Sequence, residues 1–493
     1  MKHYQQLAVF LGPPLSACLA YALCAAVVPG YVGAWVFLVP WFIAHLAQAT
    51  WLRAAGVAAL FGVTLSALVL NGTHHYGFWV FGLGVLGMGS QFVLFGLGGH
   101  LLTRHRVLSP WVPLSLTVLY VIVDVVYSQM TFLASARLAG VLAFSPFWLP
   151  LAAFTGSTGI TFALVYINTA LAQLLVARWS RERLRWSEWR GRALSVLGII
   201  ALLCFLGFWG KVSASPGQGQ ASRFAIVQGC IRRDEYREAY RNPKIQRAIW
   251  DRYVTLTEQA VAAGHGHVLW PEGALDVPLR KVEADLAQFL RSHPCWLTAG
   301  FYEIEGTNRY NTVVTLDAGG RIRDRYRKHL LIPLAEARHR REERIKLLNL
   351  TEAVVATPIC YEALFPAYVR GLVNQGAQAI FVFTDESGLQ REGTSMILLG
   401  QGILRAVENR RYLVRVSQSG LSAAVDSSGR IRAQLAQDLA GVLAVEVAWR
   451  SDRSMYTRFG EWFACLLGLG APWIWWKLRR QGRASPKTSV LGL

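Results

Sequence analysis

What most constrains this chain is where its charges are missing: residues 7–210 are dominated by long uncharged apolar runs, whereas 211–460 mix charges with short apolar stretches. A helix needs about 20 mostly apolar residues to cross the hydrocarbon of a bilayer, where every backbone polar group must be satisfied internally. Runs of that kind lie near 7–28, 31–48, 54–70, 80–102, 110–128, 144–177, 194–210 and 461–476, which predicts about eight transmembrane helices. The run at 144–177 is overlong, so part of it must be loop, tilt or extension. A hydrophobic content of 53% against 16% charge agrees with a membrane protein.

The charges that remain are distributed unevenly. With the N-terminus cytoplasmic, Arg53, the Arg104/Arg106 loop and the arginine-rich connector holding Arg178, Arg181, Arg183, Arg185, Arg190 and Arg192 all fall on the cytoplasmic side, as do Lys477, Arg479, Arg480 and Arg483. The opposite connectors, 71–79 and 129–143, carry one cation between them, Arg137. The positive-inside rule then places 211–460 across the membrane from the termini. Three parts are expected: a transmembrane bundle over 1–210, an extracytoplasmic domain over 211–460, and a last helix with a basic cytoplasmic tail over 461–493. The formal charge of +20 does not point to nucleic acid, since its cations flank apolar segments instead of forming a basic stripe on a soluble fold. Asp124, inside an apolar run, reads equally as a functional charge or as one paired with a polar neighbour. Glycines 82, 84, 87, 89, 96, 98 and 99 read as close helix packing.

Within 211–460, short β-rich runs start at Phe224, His267, Trp296, Asn311, Ala353 and Ala379, bounded by polar residues or glycine. Amphipathic stretches at 245–263 and 280–292 lie between some of them, which predicts an α/β layered domain. The seven cysteines show no paired spacing, so neither a disulfide framework nor a zinc site is expected and a reactive thiol is left open. Three fragments put a reactive side chain directly after a strand-like run: Trp270-Pro271-Glu272, Arg327-Lys328-His329 and Ile359-Cys360-Tyr361-Glu362. Sites in α/β sheets assemble at such strand ends. A cysteine nucleophile needs a base to manage its proton, and a cation or backbone N–H to hold the oxyanion, roles open to Glu272, Lys328 and the Tyr361 amide.

The W-P-E run, the Y-N-T-V-V-T-L-D-x-x-G-R-I stretch at 310–322, Y-R-K-H-L-L-I-P-L-A-E and I-C-Y-E together resemble the carbon-nitrogen hydrolase (nitrilase) superfamily. With apolar helices before and after them, the chain resembles the apolipoprotein N-acyltransferase family over nearly its whole length. The resemblance implies an all-α bundle of about eight helices plus a nitrilase-type α/β sandwich. It implies Glu272 as general base, Lys328 as oxyanion cation and Cys360 as nucleophile, with Glu336, Tyr361 and Glu362 as support, and no cofactor or metal. It also implies a phospholipid acyl donor, a lipoprotein or other amine acceptor, and a bacterial inner membrane with the catalytic domain in the periplasm. Arg405, Glu408, Arg411 and Arg415 match a supporting helix-to-strand segment.

Departures from the family are as informative. Phe383-Thr384-Asp385-Glu386-Ser387-Gly388 stands where the family has S-N-D-A-W-F-G, and Gln418-Ser419-Gly420 where it has N-N-G. The Lys328-to-Cys360 interval is shorter, with a charged stretch at 337–346 in place of an apolar arm. These features resemble the conjugal-transfer TraB branch more than the housekeeping enzymes. Arg338, Arg340 and Arg341 are expected to contact a phospholipid headgroup, against the plainer reading of a solvated turn. The alternatives to TraB-type acyl transfer are housekeeping apolipoprotein acylation, an amidase or nitrilase in which water resolves the thioester, and a catalytically idle component of a conjugation apparatus.

Overall fold

The computed structural model describes residues 2–26, 33–104, 106–130, 137–145, 147–179, 186–213, 221–388 and 392–480. It divides into two compact units, one formed by Met1–Ser213 with Phe459–Leu493 and one by Ala214–Arg458.

The first unit is helical. Among the described residues, four helices are long and apolar enough to cross a membrane: Trp51–Val69, Phe78–Thr103, Ser157–Trp179 and a window at Trp189–Leu206, with shorter apolar helices at Phe10–Cys24 and Val112–Ser128. Among those residues the expected count of about eight spans is not confirmed by length and composition. The overlong 144–177 run is cut at Gly156, whose φ of 70° ends helix Pro150–Thr155 before helix Ser157–Trp179 begins. Within 31–48 helix Val39–Leu46 is eight residues long, too short to cross a bilayer, and Pro40 opens it from its first turn. Large apolar side chains such as Phe78, Trp79, Leu86, Phe205 and Leu469 are exposed, a surface suited to lipid and not to water.

Close packing accounts for part of the glycine stripe. A Cβ on Gly96 would lie 2.5 Å from the Ala58 Cβ, and one on Gly99 would lie 2.9 Å from His45, whereas Gly82 faces open space. Asp124 has the polar neighbour that was one of its two readings: Arg137, buried, reaches it at 2.8 Å and donates as well to Ser157, Thr158 and Glu461. The connector residues Arg181, Arg183 and Arg185, and Arg483 in the tail, lie outside the described residues.

The second unit is a sandwich of two six-stranded sheets, ordered β12-β1-β2-β3-β4-β5 and β11-β10-β9-β8-β7-β6. The strands are β1 Ala221–Gln228, β2 His267–Trp270, β3 Trp296–Glu305, β4 Asn308–Leu316, β5 Ile322–Arg327, β6 Leu348–Asn349, β7 Val354–Ala356, β8 Ala379–Thr384, β9 Leu413–Ser417, β10 Ser422–Val425, β11 Ile431–Leu435 and β12 Gly441–Ala448. All six strand-like runs of the sequence lie on strands. Strand periodicity of two divides their side chains between two cores. Phe224, Ile226, Leu269, Val313, Phe381, Phe383 and Val414 fill the space between the sheets. Val227, Val268, Trp270 and Leu297 point the other way, onto Tyr253 of helix Pro243–Ala262 and Leu286 of helix Glu283–Ser292. Helices Pro366–Asn374 and Glu392–Asn409 pack on the second sheet beside β7 and β9. The result is a four-layer domain with helices outside and sheets inside.

Candidate active site

The parallel pairings aim several strands the same way. In the first sheet β2 runs parallel to β3, and β5 returns to that direction through two antiparallel steps; in the second, β7, β8 and β9 are parallel. Glu272, Lys328 and Cys360 follow the carboxyl ends of β2, β5 and β7, so residues far apart in sequence meet. Room for the Glu272 turn comes from a glycine: a Cβ on Gly300 would fall 2.5 Å from the Glu272 Cα.

Lys328 is the hub. Its side chain is 1% exposed, with Nζ 3.3 Å from Glu272 Oε1 and 2.9 Å from Glu336 Oε1. Both carboxylates are held elsewhere too. Asn311 Nδ2 donates to Glu272 Oε1 at 2.6 Å and to Glu336 Oε1 at 3.2 Å. The Asp385 amide donates to Glu272 Oε2 at 2.9 Å, and the Ile332 amide to Glu336 Oε2 at 2.8 Å. Burial by itself would lower the Lys328 pKa, but the two carboxylates overcome it and hold the ammonium above its ordinary value. Burial likewise opposes ionisation of Glu336, yet Lys328 and the Ile332 amide bring it below the usual carboxylate range. Two carboxylates around one ammonium leave a surplus negative charge beside the thiol.

Cys360 begins a short 3₁₀ turn, Cys360–Leu364, with φ at 48°, a conformation that costs a side-chain-bearing residue energy and recurs where function demands it. It stays partly accessible. Dehydration of its surroundings, then the Glu272 charge, push its thiol up to about 12; Lys328 and a hydrogen bond from Thr384 pull it down without prevailing. The resting group is therefore a thiol, and it needs a base at the moment of attack.

Glu362 ties two of these turns together. Fully buried, it accepts from the amides of His329 at 2.7 Å and Leu330 at 2.9 Å, which follow Lys328, and from the Ile359 amide at 2.8 Å, which precedes Cys360. Tyr326 donates its hydroxyl to the same carboxylate at 2.6 Å. Burial pushes Glu362 upward in pKa, and the Tyr326 and Ile359 bonds counter it. Tyr361 packs edge-on against Phe365 with ring centres 5.0 Å apart.

The structure thus brings Glu272, Lys328, Cys360, Glu336 and Glu362 together. It leaves Arg338, Arg340 and Arg341 on the exposed loop that follows Glu336, where Arg340 donates to Asn308 Oδ1 at 3.1 Å. A small cavity of about 100 Å³ takes the later cations of that loop, Arg344 and Lys346, with Arg325, Arg327, Tyr326 and Glu342. Arg405 and Glu408 form a wholly buried ion pair, and Arg415 pairs with buried Glu386. Asn311, Thr384 and Asp385 were not expected from sequence as site residues, because their contacts run across strands distant in the chain.

Residues 223–454 match the carbon-nitrogen hydrolase family model, so that stretch of the chain is similar to the proteins of that family. It is similar to the apolipoprotein N-acyltransferase of Thermosynechococcus vestitus, at 28% identity over 63% of this chain and 62% of that protein. It is also similar to the enzyme of the same name from Brucella melitensis, at 32% identity over 40% of this chain and 43% of that protein. The chain spans less than two thirds of the length of either relative. Among solved structures, an amidase from Nesterenkonia sp. aligns at 22% identity with a TM-score of 0.41, over 52% of this chain and 97% of that one.

Proposed function

We propose that this chain is a bacterial inner-membrane thiol acyltransferase. In this reading it moves an acyl group from a phospholipid to Cys360 and then to an amine. The observation that carries the reading is Lys328 held between Glu272 and Glu336 beside a thiol that rests protonated, in a domain flanked in sequence by apolar helices. Glu272 takes the S–H proton as sulfur attacks the ester carbonyl, and Lys328 with the Tyr361 amide meets the developing oxyanion. The tetrahedral adduct expels the lysophospholipid oxygen, which receives the proton from Glu272, leaving a thioester. The amine then attacks, Glu272 accepts its proton, and the departing sulfur takes that proton back. Glu336 and Glu362 fix Lys328 and the two turns.

An acyl donor with two chains cannot leave the bilayer cheaply, which is a physical reason for building such a domain into a membrane protein. The accompanying architecture is about eight spans, a bundle over 1–210, a periplasmic domain over 211–460 and a last helix with tail over 461–493. Headgroup contact falls to Arg338, Arg340 and Arg341, with the cationic cavity at Arg344 and Lys346 as a neighbouring anion surface. The charged 337–346 loop and the Asp385-Glu386-Ser387-Gly388 turn favour a TraB-type acceptor in conjugal transfer; the names of the curated relatives favour lipoprotein maturation. Expression in a cell depleted of its own apolipoprotein N-acyltransferase separates the two, since full rescue sinks the TraB reading. Supplying the purified protein with labelled phospholipid and a diacylglyceryl-cysteine peptide tests the class: labelled N-acyl peptide supports a transferase, and release of free fatty acid alone would make it a hydrolase.

A further inference from the structure

A string of buried polar groups leads away from the sulfur of Cys360. Thr384, the last residue of β8, is fully buried and lies beside Cys360 because Ile359 and Phe383 form a parallel bridge. Its hydroxyl donates to Glu386 Oε1 at 3.5 Å, at the long limit of such a bond, and is near enough to the sulfur to favour the charged form of Cys360. Glu386 is 2% exposed, ion-paired with Arg415 of β9, and accepts from Ser395. A hydroxyl has one proton to give and two lone pairs to offer. While Cys360 is a thiol, its S–H can point at the Thr384 oxygen and the threonine proton at Glu386. Once negative charge builds on sulfur, only the reverse orientation is favourable. Glu386, already engaged by Arg415 and Ser395, holds that proton weakly enough to release it.

We infer that Thr384 is a positioning residue for Cys360, whose hydroxyl turns from Glu386 to the sulfur as charge develops there, with Arg415 and Ser395 keeping Glu386 from competing. The inference rests on Cys360 being the nucleophile. It gives a buried hydroxyl a task that packing alone would not require, since valine fills almost the same space. Thr384→Val also leaves Glu386 its ion pair, so no charge is stranded by the change.

The test follows alkylation of Cys360 by iodoacetamide in the full-length protein in detergent from pH 6 to 10, read on the Cys360 peptide by mass spectrometry. Losing a hydrogen bond to a charged sulfur cuts the thiolate population about ten- to hundredfold. Because a more basic thiolate is more nucleophilic, roughly half of that is recovered on a logarithmic scale. Cys360 in Thr384→Val should therefore react about three- to tenfold more slowly at pH 8, and Thr384→Ser, which keeps the hydroxyl, should follow the wild-type profile. The other six cysteines, unchanged in rate, serve as internal controls. Thr384→Ala provides a second variant lacking the hydroxyl should valine disturb folding. A wild-type profile in either folded variant without the hydroxyl overturns the proposal, and so does a Thr384→Ser profile slowed as much as Thr384→Val. Failure of the underlying nucleophile reading is distinct, because wild-type Cys360 would then acquire no acyl group from phosphatidylethanolamine whatever residue stands at 384.

Discussion

Replacing Glu362 by glutamine tests how the catalytic turns are held. The carboxylate accepts four hydrogen bonds on two oxygens, from Tyr326, His329, Leu330 and Ile359, at 2.6 to 2.9 Å. Glutamine has one oxygen and presents an NH₂ group to the donors that faced the other. Two charge-assisted bonds are lost, each of roughly 1.5–3 kcal/mol. Relief from burying a charge offsets part of this, because Glu362 is fully buried and its pKa is already pushed up. The net loss is about 3 kcal/mol, which for a domain of this size lowers the unfolding midpoint by about 6–12 °C. The same bonds set the turns carrying Lys328 and Cys360, and a misplacement near 1 Å costs on the order of a hundredfold in rate. Thermal unfolding in detergent and acyl-adduct formation, measured on the same preparation, read both effects. A midpoint within about 2 °C of wild type, well short of that shift, together with full activity would refute the clamp.

Three further outcomes follow from the same geometry. Because burial and Glu272 push the Cys360 thiol up to about 12, raising pH increases its thiolate fraction well past the ordinary range, so alkylation of the free enzyme should keep climbing from pH 7 to 10; a plateau near pH 7 would contradict a protonated resting thiol. A reporter fused after residue 215 or 440 should read as extracytoplasmic and one fused at 186 or 485 as cytoplasmic, and a cytoplasmic signal from 215 would break the proposed topology. Changing Arg338, Arg340 and Arg341 together to glutamine should slow phospholipid use strongly at low salt and little at high salt, with Cys360 alkylation unchanged, since each exposed cation near an anionic surface contributes about 1 kcal/mol and is screened by salt. Equal slowing at both salt concentrations would remove these arginines from headgroup contact.

The core strands were legible because their apolar runs are short, β-branched and bounded by breakers, and β2 and β8 fall where the runs at His267–Trp270 and Ala379–Thr384 lie. The edge strand β5, Ile-Arg-Asp-Arg-Tyr-Arg, was not. Its arginines face outward onto Asp317 and Glu303, so its composition reads as loop although it carries Lys328 into place. The first unit was legible as apolar and helical, but not in its breaks, since one glycine at 156 divides a run that hydropathy joins. Glu272 and Cys360 could be picked out as candidates because each follows a strand-like run that is a strand in the fold, and Lys328 through the Y-R-K-H-L-L-I-P-L-A-E motif. Asn311 and Thr384 could not, because a bridge between two carboxylates, or a hydroxyl beside a sulfur, exists only once strands from distant parts of the chain lie side by side.

The most direct test of Cys360 as an acyl carrier is to incubate the purified full-length protein with acyl-labelled phosphatidylethanolamine, without acceptor, and map the label by mass spectrometry. The account predicts a thioester on the Cys360 peptide, cleaved by hydroxylamine, absent from Cys360→Ala and nearly absent from Glu272→Gln and Lys328→Met. Label that is missing from Cys360 in the wild type, or that persists undiminished in Cys360→Ala, would contradict it.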